Sequence, residues 1–346
     1  MAKVIAMFNN KGGVSKTTTS FNLGWMLAER GHKVVLADAD PQCNLTGMVL
    51  DLVGETALED FYAKNPGRNI RAALEPAFQS RPRAIEAVDC VEVEGRTGLV
   101  LLPGHIGLSE DETSLGIAQQ LSETIQALKN LPGSFRYLFD RTAEKYDADF
   151  VIIDLSPGLG AVNQNLVATA DFVIIPASPD VFSVMAMESL ARVLPRWKKW
   201  AESASEIDAL RDADYPFPTP TLKFLGTIVQ RYRLRSGEAT QGFQEFFESI
   251  DAAIEGTLVP ALEAADLMLP QSAYDGAGLG ANHRLANISD FNSLITTSQT
   301  ARKPVFALTQ EDTGRAGVVW DATLASITTF RDVFTDLAER VERLTS

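Results

Sequence analysis

Apolar runs ending in acidic or small residues alternate along this chain with longer stretches of helical period. That is the pattern of a parallel sheet covered by helices. "KVIAMF" (Lys3 to Phe8) reads as a buried strand. Thr19, Leu23, Met26 and Leu27 then recur at helical spacing and Gly31 supplies a stop, which predicts a helix from Lys16 to Arg30. The cycle continues with "KVVLAD", "DFVIID" (Asp149 to Asp154), a helical stretch from Val162 to Thr169, "FVIIPA" (Phe172 to Ala177), a helix from Val181 to about Trp200, and "LKFLGTIVQ" (Leu222 to Gln230). Strands this apolar belong at the centre of a sheet, buried on both faces. The last segment puts Phe330, Val333, Phe334, Leu337, Val341 and Leu344 on one helical face, opposite Asp332, Asp336, Glu339 and Glu342. With acids rather than lysines on its polar side, it predicts a core-packing helix and not a membrane-binding one.

The expected fold class is therefore α/β, a mostly parallel central sheet flanked by helices. The less regular stretches 51–103, 203–220 and 256–304 lack low complexity and are expected as elaborations on one domain spanning 1–346.

Composition changes this picture in four ways. With 346 residues, 45% of them hydrophobic, the chain has material for a full core. It has neither a leader-like N-terminus nor an apolar run of membrane-spanning length, which predicts a cytoplasmic protein. Cys43 and Cys90, without a Cys-x-x-Cys pair and with only three histidines, argue against a disulfide scaffold or a zinc site and for reduced thiols. The net charge of −14 repels nucleic acid on average, so contact with DNA needs a local basic patch.

The candidate chemistry begins at "NNKGGVSKTTTS", Asn9 to Ser20. A loop between a buried strand and a helix N-terminus aims backbone N–H groups and the positive end of the helix dipole at one spot, which suits a polyphosphate. Gly12 and Gly13 let the backbone curl, Lys16 reaches phosphate, and the Thr17 hydroxyl is suited to Mg²⁺. The strict G-x-x-x-x-G-K-[ST] pattern fails at Asn10 and Ser15, and Ser15 is expected to keep the loop's shape as a helix N-cap. A second lysine, Lys11, precedes the glycines. Asp38 and Asp40 close the second strand and Asp154 closes a later one, all opening onto one rim of a parallel sheet.

"KGGVSKTT", "DADPQCN", "IIDLSPGLG" and "FVIIPASPD", in this order, resemble the deviant Walker A ATPases, and the set is similar to the ParA branch of the ParA/MinD family. The resemblance runs from Lys3 to about Val193 and returns more weakly at "FLGTIVQRYR" and "ARKPVFAL". It implies an ATP hydrolase that uses ATP and Mg²⁺ and forms a homodimer in the ATP state, with Lys11 crossing to the partner's phosphates as an arginine finger does. By the same resemblance Lys11, Gly12, Gly13, Val14, Ser15, Lys16, Thr17 and Thr18 hold the nucleotide. Asp40 orients the attacking water, and Asp38, Thr17 and Asp154 serve the metal, Asp154 through a bound water. Pro157 and Gly160 belong to a second switch that senses the γ-phosphate.

The resemblance also implies a ParB-like or other activator protein and non-specific binding to double-stranded DNA, with nucleoid association as its consequence. The DNA candidates are Arg192, Arg196, Lys198 and Lys199, then Arg231, Arg233 and Arg235, while Trp197 and Trp200 are expected to pack rather than stack on bases. The P-loop begins almost at the N-terminus, so a preceding helix-turn-helix domain and operator-specific binding are not expected. A MinD-like membrane-positioning ATPase is the leading alternative, but "ERVERLTS" is not a basic amphipathic tail. Metal-cluster carriers of the superfamily need bridging cysteine pairs, and its ligases need a substrate motif, neither of which the sequence contains. A non-catalytic nucleotide-dependent switch is the remaining alternative, because of Ser15.

Overall fold

The computed structural model describes residues 1–346 apart from 51–55, 122–127, 236–237 and 240, and the side chains of 121, 234–235, 238–239 and 241 also lie outside the described residues. The strands are β1 (Lys3–Met7), β2 (Val34–Asp38), β3 (Val91–Glu92), β4 (Leu99–Leu102), β5 (Phe150–Asp154), β6 (Phe172–Ala177), β7 (Lys223–Tyr232), β8 (Leu234–Arg235), β9 (Glu238–Ala239) and β10 (Arg284–Ser289). Eight of them form one sheet in the order β10-β7-β6-β1-β5-β2-β4-β3, and β8 and β9 pair separately. Every ladder in the large sheet is parallel except the short one between β3 and β4.

The period of two along each strand divides the apolar residues between two cores. Val4, Ala6, Val35, Ala37, Val151, Ile153, Val173 and Ile175 face helices Ile70–Phe78, Leu131–Tyr146, Ala161–Thr169 and Val181–Ser205. Ile5, Met7, Val34, Leu36, Phe150, Ile152 and Ile174 face helices Lys16–Glu29 and Gly317–Leu344. The helix after β1 lies directly on the sheet, because a Cβ at Gly24 would stand 2.6 Å from Leu36 Cδ2 and 3.4 Å from Leu99 Cδ1. The final helix clamps it from outside: Arg30 donates from Nε to Glu342 Oε1 at 2.8 Å and from Nη1 to Glu339 Oε1 at 3.2 Å.

The predicted strands and helices form within a few residues of their expected bounds. Two expected elaborations contribute strands to the main sheet, β4 within 51–103 and β10 within 256–304. The helix predicted to end near Trp200 runs on to Ser205, through Pro195. Helices Leu108–Leu121 and Leu131–Tyr146 lie between β4 and β5 in the chain. Among the described residues no helix is long and apolar enough to cross a membrane. Cys43 and Cys90 are buried and free, and burial pushes each thiol up to about 12.

Candidate nucleotide-binding site

Register brings three strand ends level. Met7 of β1 stands opposite Asp154 of β5, which stands opposite Asp38 of β2, so the loop after β1 opens beside two buried carboxylates, one on the neighbouring strand and one a strand further on. The loop backbone turns at Gly13 (φ +74°) and again at Ser15 (φ +54°) before the helix starts at Lys16. Ser15 makes no side-chain cap bond, which corrects the expectation that it is a working N-cap. It holds a left-handed conformation that glycine adopts without strain, and this accounts for glycine being the residue expected at that place.

Lys16 is buried, and its Nζ donates to the carbonyls of Asn9 and Lys11, both at 3.2 Å. Burial lowers its pKa, against the opposing charges of Asp154 and Asp40. Asn9, fully buried, fixes the loop's first turn by donating to Pro176 O at 2.7 Å and accepting from Lys11 N at 2.9 Å. Gln230, at the end of β7, accepts from Thr19 Oγ1 at 2.9 Å and donates to Val14 O, and Arg231 Nη1 donates to Gly13 O at 2.6 Å. The sequence reading missed Asn9 and Gln230 and assigned Arg231 to DNA. A polar residue closing an apolar strand is the signal that could have found both.

The carboxylates differ in what they hold. Asp38 accepts from Thr46 N at 2.7 Å and Thr46 Oγ1 at 2.6 Å through one oxygen, and from Asp40 N at 3.3 Å through the other. Burial still carries its pKa up to about 6. Asp40 Oδ1 accepts from Gln42 N at 2.9 Å, closing the turn into the helix Asn44–Leu50. Asp154 accepts from Ser20 Oγ at 3.2 Å, but its Oδ2 is buried without a partner. Burial, with Asp38 and Asp40 adding to it, pushes Asp154 up to about 8 despite the neighbouring Thr17 and Lys16. A buried carboxylate oxygen with nothing to bind, next to Thr17 and an amine held only by carbonyls, fits a polyphosphate carrying a hydrated Mg²⁺. Among the described residues no three His, Cys, Asp or Glu side chains are grouped to hold a metal by themselves.

The segment after β5 leans on the first loop. Gly158 N donates to Asn10 O at 3.1 Å, Pro157 packs beside Gly12, and Asn163 holds the turn through Ser156 O at 3.0 Å and Gly158 O at 3.1 Å. A Cβ at Gly160 would stand 1.7 Å from Glu112 Oε1, so a side chain there would have to push the end of that glutamate aside. Lys11 turns away from Lys16. Its amine pairs with Asp180 and reaches Ser183 Oγ at 3.3 Å.

The expected basic patch divides. Arg192, Arg196 and Lys199 are exposed, and none of them has a carboxylate partner among the described residues. Lys198 is buried, and its Nζ donates to Ala265 O and Asp266 O, both at 2.8 Å. It caps the end of the helix Val259–Ala264 and is unavailable to a surface ligand, a correction to its place in the patch. Arg233 is exposed, and the side chain of Arg235 lies outside the described residues. Trp197 packs on Phe8 at 5.3 Å between ring centroids, and Trp200 donates to Gln119 O at 3.2 Å.

The chain is 30% identical over 196 residues to the chromosome partitioning protein ParA of Caulobacter vibrioides, covering 56% of this chain and 62% of that one. It is equally similar to the sporulation initiation inhibitor protein Soj of Bacillus subtilis, with 56% and 64% covered. This chain thus spans less than two thirds of either relative. Apo McdA from Cyanothece matches the structure with a TM-score of 0.57 at 18% identity, over 99% of this chain and 100% of that one. The Pyrococcus furiosus cell division ATPase MinD matches at 0.50 and 17% identity, again over 99% and 100%. A protein-family model described as an AAA domain matches residues 2–207, and the chain belongs to that family, the P-loop ATPases of ParA and MinD type.

Proposed function

We propose that this protein hydrolyses ATP with Mg²⁺, pairs with a second copy of itself when ATP binds, and binds double-stranded DNA without sequence preference in that state. Partition of DNA or positioning of another cargo is the corresponding role, with an activator protein of ParB-like kind stimulating a slow turnover. The observation that carries the reading is the rim itself: Lys16 lies inside the loop on carbonyls alone, next to a buried Asp154 oxygen with no partner. Each of those groups is complete only with a phosphate and a hydrated cation beside it. Bound Mg²⁺ supplies charge neutralisation at the β- and γ-oxygens.

The chain's own residues do the rest. Lys16 and the loop N–H groups bind and orient the phosphates. Asp40, close to Lys16 on the same rim, holds the attacking water, and Lys11 meets the phosphates of the partner copy. Lys16→Ala is expected to reduce ATP affinity at least tenfold in a folded protein, read by calorimetry. Lys11→Ala should still bind ATP but not pair, and Asp40→Ala should accumulate the ATP dimer, both read by sedimentation with ATP and Mg²⁺. Undiminished ATP binding by Lys16→Ala sinks the nucleotide assignment, and wild-type behaviour of the other two sinks the two-copy mechanism.

The DNA part rests on Arg192, Arg196 and Lys199, which follow one another at i, i+4 and i+7 on one stripe of the helix Val181–Ser205. They are exposed cations without carboxylate partners among the described residues of an acidic chain. No specific observation favours the membrane-positioning alternative.

A further inference from the structure

The two lysines of the loop are held in different ways. Lys16 points inward to carbonyls, whereas Lys11 is tied to its own subunit at both ends. Its N–H donates to Asn9 Oδ1 at 2.9 Å, and its amine pairs with Asp180 and donates to Ser183 Oγ at 3.3 Å. Asp180 is the N-cap of the helix Val181–Ser205, where its Oδ1 accepts from Ser183 N at 3.0 Å while Oδ2 takes the lysine. Ser183 Oγ is itself fixed, accepting from Ser178 N at 3.0 Å. One carboxylate therefore starts a helix and holds a charge that belongs to the loop.

We propose that Asp180 is a resting latch on Lys11, an in-subunit ion pair that must open before the lysine reaches a second copy, and that sets the protein concentration at which two copies pair. This rests on the two-copy reading above and adds its regulation. The pair is partly open to water, with side chains 19% and 37% exposed, so it is weak enough to be displaced by a polyphosphate bearing several negative charges. It is also placed to respond to pairing, because exposed Val181, Phe182 and Met185 follow Asp180 directly at the edge of the same rim. An exposed pair of this kind is worth at most about fivefold per subunit, and two latches open per dimer.

Asp180→Asn separates the latch from the cap, since asparagine caps a helix as well as aspartate but carries no charge. In nucleotide-free protein, acylation by an N-hydroxysuccinimide ester, read residue by residue by mass spectrometry, should modify Lys11 several-fold more slowly than exposed Lys199. Asp180→Asn should raise the Lys11 rate several-fold and leave Lys199 unchanged. With ATP and Mg²⁺, sedimentation should find Asp180→Asn pairing at a roughly three- to twentyfold lower protein concentration than the unsubstituted chain. Equal Lys11 labelling in the two proteins overturns the latch. So does pairing of Asp180→Asn at the same or a higher concentration, which would make Asp180 a residue that aims Lys11 rather than restrains it. Labelling as expected, with neither protein pairing in ATP, upholds the in-subunit restraint and overturns the two-copy reading beneath it.

Discussion

Ser15 holds φ +54° without a cap bond to offset it, so the loop carries a strained residue at its narrowest turn. Replacing it by glycine removes a strain of about 1 kcal/mol. Ser15→Gly is expected to raise the melting temperature by about 1–2 °C with ATP affinity unchanged; a fall in either would mean that the hydroxyl makes a contact of its own. The register of Lys16 and Thr17 was legible in the sequence because strand, glycines and helix fix it. The conformation of Ser15 was not, because serine's capping preference argued for the wrong geometry. Asp154 gives a second prediction at this scale. Its folded pKa, up to about 8, stands above the ordinary 3.8. Between those values the folded chain holds a proton that the unfolded chain has released, so stability falls as pH rises through the window and levels off above it. Asp38, raised to about 6, works in the same direction over a narrower range. Thermal unfolding without nucleotide or Mg²⁺, followed from about pH 5 to 9, should show the decline, and Asp154→Asn should flatten its upper part. A melting temperature that rises over this interval equally in both proteins would contradict the burial assigned to Asp154.

Elements were legible where burial is two-sided. β1, β2, β5 and β6 lie between two helical layers, so nearly every residue is apolar and the run announces itself. β10 was missed because it is an edge strand. "RLANIS" carries Arg284 and an exposed Asn287, and only part of its length is covered. β4 was missed for another reason, since four residues are too few to display a period beside the glycines and proline that flank them. Lys198 shows the same limit on a helix. Its neighbours Arg196 and Lys199 are solvated, but the helical turn carries Lys198 to the buried side, where it meets the Ala265 and Asp266 carbonyls just past the helix Val259–Ala264. Lys198→Met keeps the aliphatic stem and removes the donor, leaving the Ala265 carbonyl short of a partner while Asp266 O keeps Lys223, and is expected to cost about 1–3 kcal/mol in denaturant unfolding. Its effect on DNA affinity should be nil. Loss of DNA affinity without loss of stability would return Lys198 to the surface patch.

At the scale of the whole molecule, the proposed DNA binding sets a chain of net charge −14 against its own field, which only concentrated local charge can overcome. Arg192, Arg196 and Lys199 supply three cations without carboxylate partners among the described residues on one helical stripe, lying about 17–27 Å along the helix from the nucleotide rim where it begins. Three phosphate contacts are too few for a monomer to hold DNA at moderate salt, and pairing doubles them. ATP would then switch DNA binding by changing how many contacts act together, without any change within the patch. The measurable sign is the salt dependence. If all six contacts form in the ATP dimer, replacing the three residues by alanine should flatten the log–log slope of affinity against salt by up to about 5. Affinity should weaken to a similar extent on unrelated sequences, while ATP affinity and pairing stay as they were. Gel shifts at several salt concentrations, with and without ATP, read both quantities. A slope left intact by the triple substitution would move the DNA contact elsewhere on the surface, with exposed Arg233 the next cation to replace. DNA binding that is equally strong without ATP would remove the pairing step from the argument and leave a protein that holds DNA as a single copy.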